Sequence, residues 1–229
     1  MEKELIIFVS GSFHNSWCWE NFINYFNKVD EKYKIVAFDY ERNEKTKISD
    51  YVNQLAKVIA QNRKKVTKIN IISHSLGTAI VQHYIKINSH DIEKCVFLSP
   101  IPPRHTAVQM LKAQKKMGNK SREEVLFSNR IEQSELNKYK SLLVEESLNV
   151  KLGVMETVMP KDFKCNTKFL VVGSHNDYCM PLSASIKTAE FFRCNMVILE
   201  NLCHDMMLDP QWEEVAEYCY KFINGNCFK

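Results

Sequence analysis

The sequence predicts an α/β protein, an open, mostly parallel sheet of about six strands with helices on both faces. Three observations predict it. Short apolar runs rich in β-branched residues recur at 5–9, 34–38, 69–72, 94–98, 167–172 and 195–199. Runs without polar alternation are strands buried on both faces, as in a parallel sheet. Amphipathic stretches of helical period lie between most of them. At one place strand and helix meet in a turn of small residues, Ser73-His74-Ser75-Leu76-Gly77.

The run at 5–9 leads into the loop Ser10-Gly11-Ser12-Phe13-His14-Asn15-Ser16. Apolar residues at 19, 22, 23 and 26 then mark a helix over 17–29, with Ser16 as its expected N-cap. The second strand, 34–38, ends at Asp39. Apolar positions 51, 52, 55, 58 and 59 predict a helix over 51–62, capped by Ser49. The third strand, 69–72, enters the small-residue turn, and 78–87 is the helix behind it. The fourth, 94–98, ends at Ser99-Pro100.

The alternation then breaks. Residues 101–165 hold no strong strand, and 106–117, 121–129 and 133–146 read as helices mixing Met, Leu and Val with charges. A helical insert between strands is a candidate lid. The competing reading is a set of crossover helices packed on the sheet. Strands resume at 167–172, followed by Gly173-Ser174-His175-Asn176-Asp177. A helix at 182–192 precedes the last strand, 195–199, and the loop Glu200-Asn201-Leu202-Cys203-His204. An amphipathic helix over 211–223, with Pro210 near its start, closes the pattern. The length of 229 residues suits one domain, 1–229, with the insert at about 101–165.

Composition narrows the function classes. The net charge of +4 is small, and the longest basic blocks are Arg63-Lys64-Lys65 and Lys115-Lys116, too short for a nucleic-acid surface. No run approaches the roughly 20 apolar residues of a membrane span, and the first apolar run is shorter than the roughly 7–15 residues of a signal-peptide core. The cysteines at 18, 95, 165, 179, 194, 203, 219 and 227 form no C-x-x-C pair and no metal-site or disulfide spacing. Reduced thiols in a cytoplasm are the expectation. The oligomeric state is left open.

A serine in a tight strand-to-helix turn has the layout of a nucleophile elbow. Its hydroxyl needs a base in hydrogen-bond reach and a carboxylate to orient that base. Functional groups of open α/β sheets gather beyond the carboxyl ends of the strands. Asp177 and His204 both sit in post-strand loops, in the chain order serine, acid, histidine. Asp39 also ends a strand but precedes the serine, and Asp205 follows the histidine, where a cap on the next turn is its expected role. The developing oxyanion needs two preset amides. Leu76, after the serine, supplies one. Ser12 supplies the other, with Phe13 second, in a loop that Gly11 lets turn sharply.

These stretches together resemble the α/β-hydrolase family. Ser73-His74-Ser75-Leu76-Gly77 looks like its G-x-S-x-G elbow. Residues Val9 to Trp19 look like the H-G-x-x-H-x-x-W-x-W opening of a branch with small-molecule esterases, plant methyl esterases and hydroxynitrile lyases. Gly173 to Pro181 looks like the acid loop, and Cys203-His204-Asp205-Met206-Met207-Leu208 like the histidine loop. Two positions depart from the pattern: Ser73 stands where glycine is usual and would crowd the turn, and Ser10 stands where a histidine tends to brace the oxyanion loop.

The resemblance implies a serine hydrolase acting on a small or medium apolar ester or thioester, with catalytic Ser75, Asp177 and His204 and no metal or cofactor. Phe13, His14 and Met110 are the expected substrate contacts, Met110 among the apolar residues of the insert. Alternatives are an acyltransferase, a lyase using the same three residues, or an inactive homologue that only binds ligand. Asp205 disfavours the lyase, because hydroxynitrile lyases carry a lysine at that place.

Overall fold

The computed structural model describes residues 3–225 apart from 105 and 157, so His105 and Cys227 lie outside the described residues. Six parallel strands form one sheet in the order β2-β1-β3-β4-β5-β6. They are β1 Glu4–Val9, β2 Tyr33–Ala37, β3 Ile69–His74, β4 Lys94–Leu98, β5 Lys168–Ser174 and β6 Asn195–Leu199. All five neighbouring pairs are parallel, with Ile7 opposite Val36 and Ile71, and Ile72 opposite Val96.

The helices that flank the sheet are α1 Glu20–Val29, α2 Ile48–Arg63, α3 Leu76–Ile87, α8 Leu182–Phe192 and α9 Trp212–Asn224. Alternation along β1 sorts them into layers. Leu5, Ile7 and Val9 point into a core shared with Tyr51 and Leu55 of α2, Ile80 of α3 and Ala184 of α8. Ile6 and Phe8 point the other way, onto Phe22 and Phe26 of α1 and Val215 and Cys219 of α9. Both faces of the sheet are covered, which is why its strands are continuously apolar.

The insert holds α4 Thr106–Met117, α5 Arg122–Leu126, α6 Gln133–Leu142 and α7 Leu148–Gly153. Leu126, Phe127, Ile131 and Tyr139 join the core on the α1 side. Val150, Val154 and Met159 join the opposite core. Met110 is partly buried against that second core, whereas Leu111 and Met155 are exposed. The insert is therefore anchored in both layers.

Several boundaries differ from expectation for identifiable reasons. The helix expected over 133–146 ends at Leu142, because the Val144 N–H donates to the Phe13 carbonyl (2.9 Å). Ser16 caps no helix. Its N–H and hydroxyl both donate to Asp39 Oδ1 (2.8 and 2.6 Å), and its residue opens a short 3₁₀ turn, Ser16–Trp19. Helix α2 starts at Ile48, so Ser49 is inside it. Its N-cap is Lys47, whose N–H donates to Asp50 Oδ2 (2.8 Å). Helix α7 had no clear signal, being one short turn of residues capped by Ser147.

One contact fixes the height of α3 on the sheet. A Cβ on Gly77 would lie 2.3 Å from the Val9 carbonyl oxygen and 2.7 Å from that of Ser10. Both obstacles are backbone and cannot swing away. Gly77→Ala is expected to destabilise the protein by at least about 1–3 kcal/mol, read as a lower urea midpoint at unchanged m-value.

Candidate active site

Ser75 joins β3 directly to α3 and has φ 49° and ψ −120°. A positive φ is uncommon and strained for a residue with a Cβ. Hydrogen bonds on both sides hold it there. The Ser75 N–H donates to the Leu98 carbonyl (3.1 Å), and its carbonyl accepts from the N–H and hydroxyl of Thr78 (2.9 and 2.7 Å). Ser75 is buried, at 8% exposure.

His204 lies in the loop after β6 and Asp177 in the loop after β5. The Ser75 Oγ is 3.0 Å from His204 Nε2, and His204 Nδ1 is 2.9 and 3.1 Å from the two Asp177 oxygens. A carboxylate only accepts, so Nδ1 carries the hydrogen and Nε2 is free to accept from the serine hydroxyl. Asp177 Oδ1 also accepts the N–H groups of Cys179 and Met180, both at 2.8 Å.

The electrostatics of the pair follow from its burial. Burial alone would raise the Asp177 carboxyl, but the His204 charge and hydrogen bond and the Met180 amide outweigh it and hold Asp177 below the usual range. Burial alone would lower His204, yet the Asp177 charge outweighs it and raises the imidazole well above its ordinary value. The imidazolium that forms on accepting a proton is thus stabilised. Ser99, also fully buried and also at positive φ, completes the floor with its hydroxyl 3.5 Å from the His204 carbonyl. Its place at the end of β4 is a signal that sequence reasoning passed over.

Leu76 is the first residue of α3, so its N–H has no acceptor within the helix, and the helix dipole favours negative charge there. Ser12 lies in a turn closed by the His14 N–H donating to the Gly11 carbonyl (3.4 Å). The positive φ of this turn falls on Phe13, at 69°. Gly11 therefore serves close approach rather than an unusual φ. A Cβ on it would lie 2.8 Å from His74 Nδ1 and 3.0 Å from Ser75 Cβ.

Neither departure from the family pattern disturbs this geometry. Ser73 is inside β3, and its buried hydroxyl donates to the Val96 carbonyl of the next strand (3.4 Å), away from the turn it was expected to crowd. Ser10 takes over a bracing role. Its hydroxyl accepts from Trp19 Nε1 (3.0 Å) and donates to the Asn15 carbonyl (3.1 Å), and its own carbonyl accepts from Tyr40 (3.1 Å).

The expected substrate contacts fare differently. Phe13 is half-buried at the mouth of the loop, with Arg122 and Lys151 over its ring at 5.2 and 5.7 Å. His14 is fully buried, with Nδ1 2.7 Å from the Ser12 carbonyl and Nε2 3.1 Å from Asp205, which leaves it no surface for a substrate. Met110 packs on the core rather than standing free. Asp205 begins a 3₁₀ turn, Met206–Leu208, but its side chain caps nothing.

A cavity of about 730 Å³ lies between the insert and the acid and histidine loops, lined among others by Lys120, Phe127, Ile131, Tyr178 and Cys203. That volume is typical of ligand pockets. Ser75, His204 and Asp177 are not in its wall, although Cys203 and Asn176, which precede His204 and Asp177 in the chain, are. His74, His204 and Asp205 place donor atoms within 4.8 Å of one another. Both His204 nitrogens are already engaged, with Ser75 and Asp177, and His74 Nε2 donates to the His204 carbonyl (2.9 Å).

The family described as "Serine hydrolase" matches residues 18–219. No curated protein matches the sequence. Among solved structures, the chain is similar to a Paleococcus ferrophilus monoacylglycerol lipase, at 16% identity and TM-score 0.73, covering 99% of this chain and 97% of that one. It is similar to polyneuridine aldehyde esterase, at 16% identity and TM-score 0.73, covering 97% and 100%. It is also similar to tomato methylketone synthase I complexed with 2-tridecanone, at 16% identity and TM-score 0.77, covering 99% and 100%. At such identities the likeness speaks for the fold, and the fold is that of the α/β-hydrolases.

The raised His204 sets a pH expectation. A base acts unprotonated, so the rate at which a fluorophosphonate modifies Ser75 should rise with pH through a midpoint above the roughly 6.5 of a free imidazole. Asp177→Asn should move that midpoint down and cut the limiting rate by about 10⁴-fold. Labelling rates measured across the pH range check both.

Proposed function

The chain belongs to the serine hydrolase family, and on that premise we propose that it cleaves a small or medium apolar carboxylic ester or thioester through Ser75, His204 and Asp177. That it is a serine hydrolase follows from the family, and its fold is one that esterases and lipases share. The observation that carries the finer reading is the unbroken hydrogen-bond chain from the Ser75 hydroxyl through His204 to the buried Asp177.

In this reading His204 Nε2 takes the Ser75 proton as Oγ attacks the acyl carbon. The oxyanion is held by the N–H groups of Leu76 and Ser12, in a site where low exposure strengthens each hydrogen bond. His204 returns the proton to the departing alcohol or thiol. A water, activated by the same imidazole, then attacks the acyl-enzyme and releases the acid. Asp177 keeps Nδ1–H pointed at itself and stabilises the imidazolium at both stages. No step calls on a metal or cofactor.

We read the insert, 101–165, as the lid that shapes the substrate site. Its contacts support this, since it reaches three loops of the site. The Val144 N–H donates to the Phe13 carbonyl, the Asp205 N–H donates to the Leu126 carbonyl (3.0 Å), and Lys116 donates to the carbonyls of His175 and Asp177 (2.6 and 2.7 Å). The substrate is a small molecule rather than a nucleic acid. Among the described residues no helix is long and apolar enough to cross a membrane. The seven described cysteines are all free, which supports a cytoplasmic protein.

A panel of p-nitrophenyl esters of rising acyl length, with acyl-thioesters beside it, tests the reading. Turnover should peak at short to medium chains, and Ser75→Ala should lower it by about 10⁴-fold or more. Unchanged turnover in Ser75→Ala overturns it. A wild type that neither turns over any member nor reacts with a fluorophosphonate would be a ligand-binding homologue instead.

A further inference from the structure

Asp205 is the group in the molecule that most needs an explanation. It is fully buried, and among the described residues neither of its oxygens accepts an aligned hydrogen bond. A carboxylate in that state is costly unless a charge partner compensates it. Two imidazoles face it, His14 Nε2 at 3.1 Å and His74 Nε2 at 3.8 Å, both buried. His74 is driven down to about 3 by burial and by the nearby His204, so it stays neutral. His14 is the nearer of the two. Burial would raise the Asp205 carboxyl, and the surrounding imidazoles, His14 at 3.1 Å first and then His74 and His204, outweigh it and hold the carboxyl low.

The other side of His14 faces the oxyanion loop. Nδ1 is 2.7 Å from the Ser12 carbonyl, which only accepts, so Nδ1 donates. The backbone N–H of the same residue donates to the Gly11 carbonyl. His14 therefore pins two successive carbonyls. Peptide units are planar and trans, so fixing the Gly11 carbonyl turns the Ser12 N–H the opposite way, and fixing the Ser12 carbonyl does the same for Phe13 N–H. The positive φ at Phe13 is a strain that such pinning sustains.

We propose that Asp205 and His14 form a second buried carboxylate–imidazole pair, separate from Asp177 and His204, that aims the oxyanion-loop amides at the oxygen of the acyl group attacked by Ser75. Asp205 is then a positioning residue that acts through His14 and touches no substrate. Because Asp205 is covalently next to His204, and its Oδ1 faces His74, next to Ser75, one carboxylate ties together the loops that carry the base, the nucleophile and the oxyanion donors. The proposal rests on the hydrolase reading above.

The double variant His14→Phe/Asp205→Leu separates positioning from stability. Replacing a buried polar pair by apolar groups of similar size is often neutral or stabilising, so the variant should fold with a thermal midpoint at or above the wild type. Active sites are counted with a fluorophosphonate, and kinetics are measured per site. The expected result is KM within twofold and kcat lower by at least about 10-fold, up to the roughly 10²–10³ of losing a donor outright. Affinity for a trifluoromethyl ketone, whose adduct carries an oxyanion, should fall in step with kcat/KM. A merely structural pair would leave both unmoved.

Should the double variant fail to fold, Asp205→Asn, nearly isosteric, takes its place. It should weaken trifluoromethyl ketone binding more than it weakens substrate binding. A kcat within threefold of wild type in a folded variant, or ketone and substrate affinities that fall equally, overturns the proposal alone. A wild type that shows no fluorophosphonate labelling overturns the hydrolase reading and the proposal with it.

Discussion

The turn between β3 and α3 rests against the end of β1 with no space to spare, and the site depends on that contact. A methyl on residue 77 would press into the Val9 carbonyl, and one on residue 11 would press into His74 and Ser75. Two glycines thus let two backbones touch. That contact brings the first-turn amide of α3 and the loop after β1 to the same side of Ser75. It also forces Ser75 into a left-handed backbone that costs about 1–3 kcal/mol. The sheet makes the strain tolerable, because β3 lies between β1 and β4 and is hydrogen-bonded on both edges.

Around this contact the protein buries ionisable groups that would be prohibitive singly. Asp177 is stabilised by His204 and by two amides, and Asp205 has the imidazoles of His14 and His74 at 3.1 and 3.8 Å. Each imidazole in turn has its second nitrogen assigned, His204 to the Ser75 hydroxyl and His14 to the Ser12 carbonyl. Removing a single partner would leave a charge without compensation, which is more damaging than removing a pair. Such a site is rigid because its geometry is over-determined. Rigidity of this kind is what preset oxyanion donors need, since they gain from not reorganising during the reaction.

The insert adds a second level of constraint. It is built into both hydrophobic layers through residues such as Phe127 and Val150, so it is not a loosely tethered flap. Buried Glu146, bonded to the Tyr51 hydroxyl and 3.7 Å from Arg42, ties its far end to α2 and to the loop after β2. Arg42 in turn donates to the His14 carbonyl and to Asn15 (both 2.8 Å). The insert, the loop after β1 and the sheet therefore share one set of polar contacts.

The sequence by itself determined the sheet, its coverage on both faces and the order of Ser75, Asp177 and His204. Those features are local. Continuous apolar runs report burial on both faces, helical stripes report one buried side, and loops after parallel strands share one end of the sheet. Lys94–Leu98 and Asn195–Leu199 are strands over the very residues expected. Only the tertiary structure decided what the loop residues touch. His14 has no local sign that distinguishes a substrate contact from a buried clamp, because its partner Asp205 is far away in the chain. Asp205 looked like a turn cap for the same reason. Ser73 and Gly11 carried the right residue types with the wrong explanations, since crowding and close approach depend on which strand or loop lies opposite. Contacts across the sheet are set by packing, and packing is not written in any one stretch of the chain.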